Sequence, residues 1–122
     1  MSDEIDIWLE NFSLQSNEKE VIIRETLRQV QKDFALQGES LDLEKFSTSI
    51  LIASFASILK ELDFIHSPKF AALLYQLDLK EAEISLKLRS SSPEATYNVL
   101  SESILKRCFE KVMWRRKFRS KK

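Results

Sequence analysis

Phe46-Ser47-Thr48-Ser49-Ile50-Leu51-Ile52-Ala53-Ser54-Phe55-Ala56-Ser57-Ile58-Leu59 is the stretch whose reading decides the fold. It holds no charged residue, in a chain that is 31% charged. At the helical period, Ile58, Leu51, Leu62, Phe55, Leu59 and Ile52 fall side by side on one broad face. Beside them Ala56, Ser49, Ala53 and Ser57 make a strip of small residues. Only Lys60, Glu61, Ser54 and Ser47 leave a narrow polar edge. Large residues on one flank and small ones on the next suit a helix with neighbours on two sides, one of them close. The expected fold is therefore all-α: a single-domain bundle of five or six helices around a central buried helix at about 42–64.

Composition agrees with that class. A chain of 122 residues buries roughly 65% of its unfolded surface on folding, enough for a core of its own. One glycine and two prolines leave few tight turns for a β-sandwich or barrel. A single cysteine rules out an internal disulfide and fits a reducing compartment. The start, Met-Ser-Asp-Glu-Ile-Asp, is acidic where a secretory leader would be basic. No apolar run approaches the ~18–20 residues of a membrane span. A cytoplasmic location is the expectation.

Outward from the central stretch, helix signals recur. Ser2 is placed to cap a short first helix whose apolar face is Ile5, Trp8, Leu9 and Phe12. Asn17 with Glu20 is a capping-box pattern opening a second helix, in which Ile23, Leu27, Val30 and Phe34 face in and Arg24, Arg28, Gln31 and Lys32 face out. Gly38, the only glycine, sits where a left-handed C-terminal cap is wanted. Asp42 is the expected cap of the central helix, with Leu41 and Phe46 as its staple. Ser67-Pro68 opens the next helix, with Phe70, Leu73, Leu74 and Leu77 inward. Residues 79–89 carry a mixed signal. Leu79, Ala82 and Leu86 fit a helix capped by Asp78 and Glu81, while Ile84, Leu86 and Leu88 alternate as in a strand. A lone strand would have no partner, so a helix is expected. Ser90-Ser91-Ser92-Pro93 is the clearest connector, Ser92-Pro93 repeats the cap-and-proline opening, and the last helix follows, from Pro93 to about Arg119. Residues 1–119 then form one domain, with 114–122 as a basic extension.

Little in this inventory performs chemistry. One glycine excludes phosphate-cradling glycine loops, and one histidine and one cysteine exclude the common zinc sets. His66 reads as a loop residue. Cys108, between Ile104 and Val112 on an apolar face, reads as a small core residue. No nucleophile–base pair can be named, so neither an enzyme, a metal, a cofactor nor a small-molecule substrate is expected.

Charge distribution says more than the total of zero. Lys106 to Lys122 contains nine basic residues against Glu110, about +8, which leaves about −8 for residues 1–105. The apolar stripe of the last helix runs Tyr97, Leu100, Ile104, Cys108, Val112, flanked by Leu105 and Phe109. Its next positions are Arg115 and Arg119. A guanidinium is not buried without a partner, so the helix must leave the core after about Val112 or meet acids there. Arg107, Lys111, Trp114 and Phe118 share an adjacent face. The candidate binding residues are Arg107, Lys111, Trp114, Arg115, Arg116, Lys117, Phe118 and Arg119. A protein partner, or a second copy of the chain, is the first expectation. Nucleic acid bound through residues 106–122 is the alternative, and attachment to an anionic membrane ranks last. A purely structural role is the competing reading: the aromatic pair would pack on Trp8 and Phe12, with Asp3, Asp6 and Glu10 neutralising the arginines.

Overall fold

Every regular element in the computed structural model, which describes residues 6–8 and 18–119, is helical. Asp6, Ile7 and Trp8 are helical, and five longer helices follow: α1 (Lys19–Leu36), α2 (Leu51–Glu61), α3 (Lys69–Gln76), α4 (Glu81–Ser90) and α5 (Thr96–Arg119). The expected all-α bundle is the fold. Residues 79–89 fall in α4 and its approach, and no strand occurs among the described residues. Among the described residues no helix is long and apolar enough to cross a membrane.

α1 forms because Ile23, Leu27, Val30 and Phe34 recur every three or four residues, and all four are buried. Arg24, Arg28 and Lys32 are exposed as expected, while Gln31 is half-buried and donates to the Leu41 carbonyl (3.0 Å). The proposed capping box rests on Asn17, which lies outside the described residues, as do Ser2, Ile5, Leu9 and Phe12. α1 ends in a Schellman motif: Gly38 takes φ +80°, its N–H reaches the Ala35 carbonyl, and the Glu39 N–H reaches that of Phe34 (2.9 Å each). With no second glycine, aspartates fill the same role elsewhere, since a short polar side chain tolerates the left-handed region. Asp78 (φ 60°) ends α3 in the same way, Asp78 N–H to Tyr75 and Leu79 N–H to Leu74. Asp63 (φ 48°) follows α2. Asp78 therefore closes one helix rather than capping the next, which corrects the capping box expected at Asp78 and Glu81.

The central stretch is helical over a shorter span than its pattern suggests. Asp42 does cap, its Oδ1 accepting the Glu44 N–H (3.0 Å), but only a 3-10 turn at Leu43–Lys45 follows. Phe46 and Ser47 are extended, a second 3-10 turn spans Thr48–Ile50, and α2 starts at Leu51. Two causes act together. Hydroxyl side chains compete with the helix ladder: Ser54 Oγ accepts the Ser47 N–H (3.0 Å), and the Ser47 and Ser49 hydroxyls pair (3.1 Å). The break also lets Phe46 fold back to stack on Phe55, centroids 5.3 Å apart. In a continuous helix nine residues would separate them by ~13 Å. Leu51, Phe55, Ala56 and Leu59 are buried, whereas Leu62, Ser49, Ala53 and Ser57 are exposed. The small strip faces mostly water.

The helix with neighbours on two sides is α5. Its buried residues come in pairs, Leu100–Ser101, Ile104–Leu105, Cys108–Phe109 and Val112–Met113, repeating every turn. A stripe two residues wide can serve two partners. α1 and α2 both pack along it more extensively than any other elements pack on each other. Ser101, fully buried, lets α2 approach and donates its hydroxyl to the Ile52 carbonyl (2.7 Å). At one end a string of rings runs Phe46, Phe55, Phe34, Phe64, Phe70, neighbouring centroids 5.2–6.0 Å apart. At the other, Trp8 packs on Phe109 (5.6 Å). α3 begins as expected, with Ser67 Oγ accepting the Lys69 N–H (3.1 Å), and it buries Leu73 and Leu74.

Phe55 sits within that ring string, between Phe46 and Phe34, with no exposed surface. Phe55→Ala is expected to destabilise the protein by about 3–5 kcal/mol, from lost transfer energy plus the cavity. Urea unfolding followed by circular dichroism measures it. A loss below ~0.5 kcal/mol would place the ring outside the core.

Candidate functional site

Along its length α1 carries an unexpected pattern. Beside its apolar face, Ile22, Thr26, Gln29 and Asp33 form a second row at helical spacing, and all four are buried. Thr26 satisfies itself by donating to the Ile22 carbonyl (2.8 Å). Asp33, 3% exposed, needs help from other elements. Gln29 Nε2 donates to both of its carboxylate oxygens (3.1 Å each), and Gln76 Nε2, from α3, to Oδ1 and to the Asp33 carbonyl (3.1 Å each). From α5, Lys111 Nζ lies 3.4 Å from Oδ2, and the Cys108 thiol points at the same oxygen (3.5 Å). The carboxylate is thus hydrogen-bonded and charge-paired, as burial requires. The relay extends outward on both sides. Arg115 donates to Gln29 Oε1 (2.5 Å), and Gln37 donates to Gln76 Oε1 (2.6 Å). An arginine cannot accept and a carboxylate cannot donate, so the orientation of Gln29 between them is fixed.

The eight candidate residues on α5 divide accordingly. Arg107 donates from Nε to the Leu77 carbonyl at the end of α3 (2.8 Å) and lies 4.0 Å from Asp78 and 3.8 Å from Glu110. Lys111 and Arg115 belong to the Asp33 relay, and Arg116 pairs with Glu25 (2.9 Å). Met113 is the last buried residue among those described. Beyond it, Trp114 is 45% and Phe118 65% exposed, their centroids 6.3 Å apart, with Lys117 Nζ 5.0 Å from the Trp114 ring centre. Arg119 ends the helix, and its side chain lies outside the described residues.

The helix therefore both leaves the core and meets acids, on different sides. Among the described residues those acids, Asp33 and Glu25, come from α1. Of Asp3, Asp6 and Glu10, only Asp6 is described, and it pairs with Lys19 (2.9 Å). Asp33, Gln29 and Gln76 were invisible to sequence reasoning, because polar residues at helical spacing normally mark a solvated face. The one available signal was Arg115 itself, a cation on a core stripe that demands a partner one helix away.

Elsewhere the chemistry is sparse. His66 is exposed and pairs with Asp63 (2.8 Å). Between α4 and α5 a groove of about 410 Å³ has Leu79, Ile84 and Val99 on its walls and Lys87, Glu102 and Lys106 among the polar residues lining it. Its lining charges are of both signs. Among the described residues no group of three or more His, Cys, Asp or Glu could hold a metal ion. Comparison with protein-family models, curated proteins and solved structures finds no match.

Two outcomes follow from the Asp33 cluster. Asp33→Ala strands Lys111, Gln29 and Gln76 together and is expected to cost about 2–4 kcal/mol. Lys111→Met leaves both amides in place but takes the cation from a buried carboxylate, and is expected to cost a comparable amount, about 2–4 kcal/mol. Denaturant unfolding of the two variants measures both, and a loss below ~0.5 kcal/mol for either would mean the carboxylate is not held by this cluster. Cys108 is fully buried, and burial first and the Asp33 carboxylate second push its thiol above the ordinary 9.0. A protonated, shielded thiol should react slowly with a maleimide in the native protein and rapidly in denaturant. Rapid native labelling would contradict the packing.

Proposed function

We propose that this chain is a non-enzymatic helical interaction protein that binds a protein partner, or a second copy of itself, through its helical surfaces. The contact centres on the end of α5, where Trp114, Lys117 and Phe118 share a face that begins directly after the last core residue. The observation that carries the reading is the exposure of this aromatic pair, 45% and 65%, on a helix whose preceding turns are held firmly in the fold. Exposed large aromatics with a cationic border are what partner-binding hot spots are made of. A reducing compartment such as the cytoplasm suits a protein whose single cysteine is free and buried.

Protein is favoured over nucleic acid by the use of the cations. Arg107, Lys111, Arg115 and Arg116 each have acceptors within the fold, so they would have to abandon those acceptors to reach phosphates. That lowers the number of counterions a nucleic-acid complex could release.

Truncation after Met113 tests the assignment. It removes Trp114 to Lys122 and with them the contact of the exposed Arg115 with Gln29 and the Arg116–Glu25 pair between half-buried groups, each worth little. The truncated protein should keep its helicity and melt within a few degrees of the full chain. Recovery of the native partner from cell extract should fall sharply with the truncated protein and with Trp114→Ala/Phe118→Ala. A strongly destabilised truncation with unchanged binding would refute the proposal. Salt separates the alternatives: a mode with six or more phosphate contacts loses on the order of 10³-fold affinity between about 50 and 200 mM salt, and a hydrophobic protein contact far less.

A further inference from the structure

Two Ser-Pro dipeptides occur in this chain, Ser67-Pro68 and Ser92-Pro93, and each precedes a helix. Their hydroxyls are used differently. Ser67 is half-buried, and its Oγ accepts the Lys69 N–H (3.1 Å) as the cap of α3. Ser92 is exposed in the connector between α4 and α5, and its hydroxyl bonds to nothing among the described residues, so it does not cap the last helix as expected; a turn over 93–95 intervenes and α5 starts at Thr96. Its backbone carbonyl alone is engaged, by the Ala95 N–H (3.0 Å) and the Thr96 hydroxyl (3.1 Å). The two serines before it are also occupied, Ser90 Oγ donating to the Leu86 carbonyl (2.8 Å) and Ser91 Oγ to that of Leu88 (2.9 Å). Of the four serines, one hydroxyl is free.

The surroundings of Ser92 present it as a peptide substrate. Ser91 is extended (φ −94°, ψ 158°), and a residue before proline is itself confined to extended backbone. Pro93 is exposed immediately after the hydroxyl. Ser67 lies instead three residues after Phe64, which is buried in the ring string. Proline in the next position is the feature by which proline-directed serine kinases select a serine.

We infer that Ser92 is a phosphoryl-acceptor site for a proline-directed serine kinase. In the transfer, Ser92 Oγ forms a bond to the γ-phosphorus of ATP, the bond from that phosphorus to the β–γ bridging oxygen breaks, and ADP leaves. The hydroxyl proton passes to the kinase's catalytic carboxylate. The product carries close to two negative charges in the connector leading into α5, where the positive end of the helix dipole lies. The site is independent of the α5 end and of the interaction assigned to it.

The native full-length protein, a proline-directed serine kinase and ATP make the test, with phosphopeptide mass spectrometry as the readout. Phosphate is expected on Ser92, lost in Ser92→Ala and strongly reduced in Pro93→Ala. Ser90 and Ser91 would each have to break a hydrogen bond to react, a handicap on the order of tenfold in rate before their lack of a following proline is counted. Ser67 should stay unmodified in the folded protein and accept phosphate only after denaturation. Equal native labelling of Ser67 and Ser92, or a Ser92 that reacts only when the chain is denatured, would overturn the assignment. So would recovery from cells of the Ser92 peptide, at high coverage, in unmodified form alone.

Discussion

A helix that closes against two neighbours at once must satisfy both with one stripe of side chains, and that constraint organises this protein. α5 meets it by burying two residues per turn, from Leu100–Ser101 to Val112–Met113. Apolar burial alone would allow its neighbours to slide, because hydrophobic contact is not directional. Asp33 removes that freedom. Its carboxylate is satisfied only when α1, α3 and α5 stand so that Gln29, Gln76, Lys111 and Cys108 all reach it. A buried carboxylate without these partners would be far more costly than an apolar residue in its place, so the cluster penalises every other register.

The same arrangement explains why charge and aromatics part company along α5. Cations that face α1 or the end of α3 find acceptors there: Lys111 on Asp33, Arg115 on Gln29, Arg116 on Glu25, Arg107 on the Leu77 carbonyl. The side that carries Trp114 and Phe118 continues past the last buried residue. Lys117 on that side lies 5.0 Å from the Trp114 ring centre. The described part of this basic terminal segment thereby divides into cations that hold the fold and aromatics that are partly exposed.

Much of this was legible from local signals. Gly38, Ser67-Pro68 and the spacing of Ile23, Leu27, Val30 and Phe34 act over a few residues, so the elements they mark stand where the pattern puts them. The start of α2 was not legible, because Phe46 is drawn out of the helix by a ring nine positions away. Nor was the burial of Asp33, whose partners on α3 and α5 are 43 to 78 residues distant in sequence. The identity of the two-sided helix shifted for the same reason. Charge-free composition pointed to Phe46–Leu59, whereas Ser101 and Cys108 look unremarkable until their neighbours are in place. Of the candidate site, the break at Arg115 was readable as a demand for a partner, and which helix would supply it was not.

Native-state hydrogen exchange tests most directly the claim that α5 is the axis on which the bundle closes. Amides of Leu100 to Val112 should be among the slowest in the protein and exchange only through global unfolding, with the same denaturant dependence as equilibrium unfolding. The short helices α3 and α4 should open at lower free energy. If the amides of α5 instead exchange through a local opening while those of Leu51–Glu61 remain protected, the organising helix is α2 and the account is wrong.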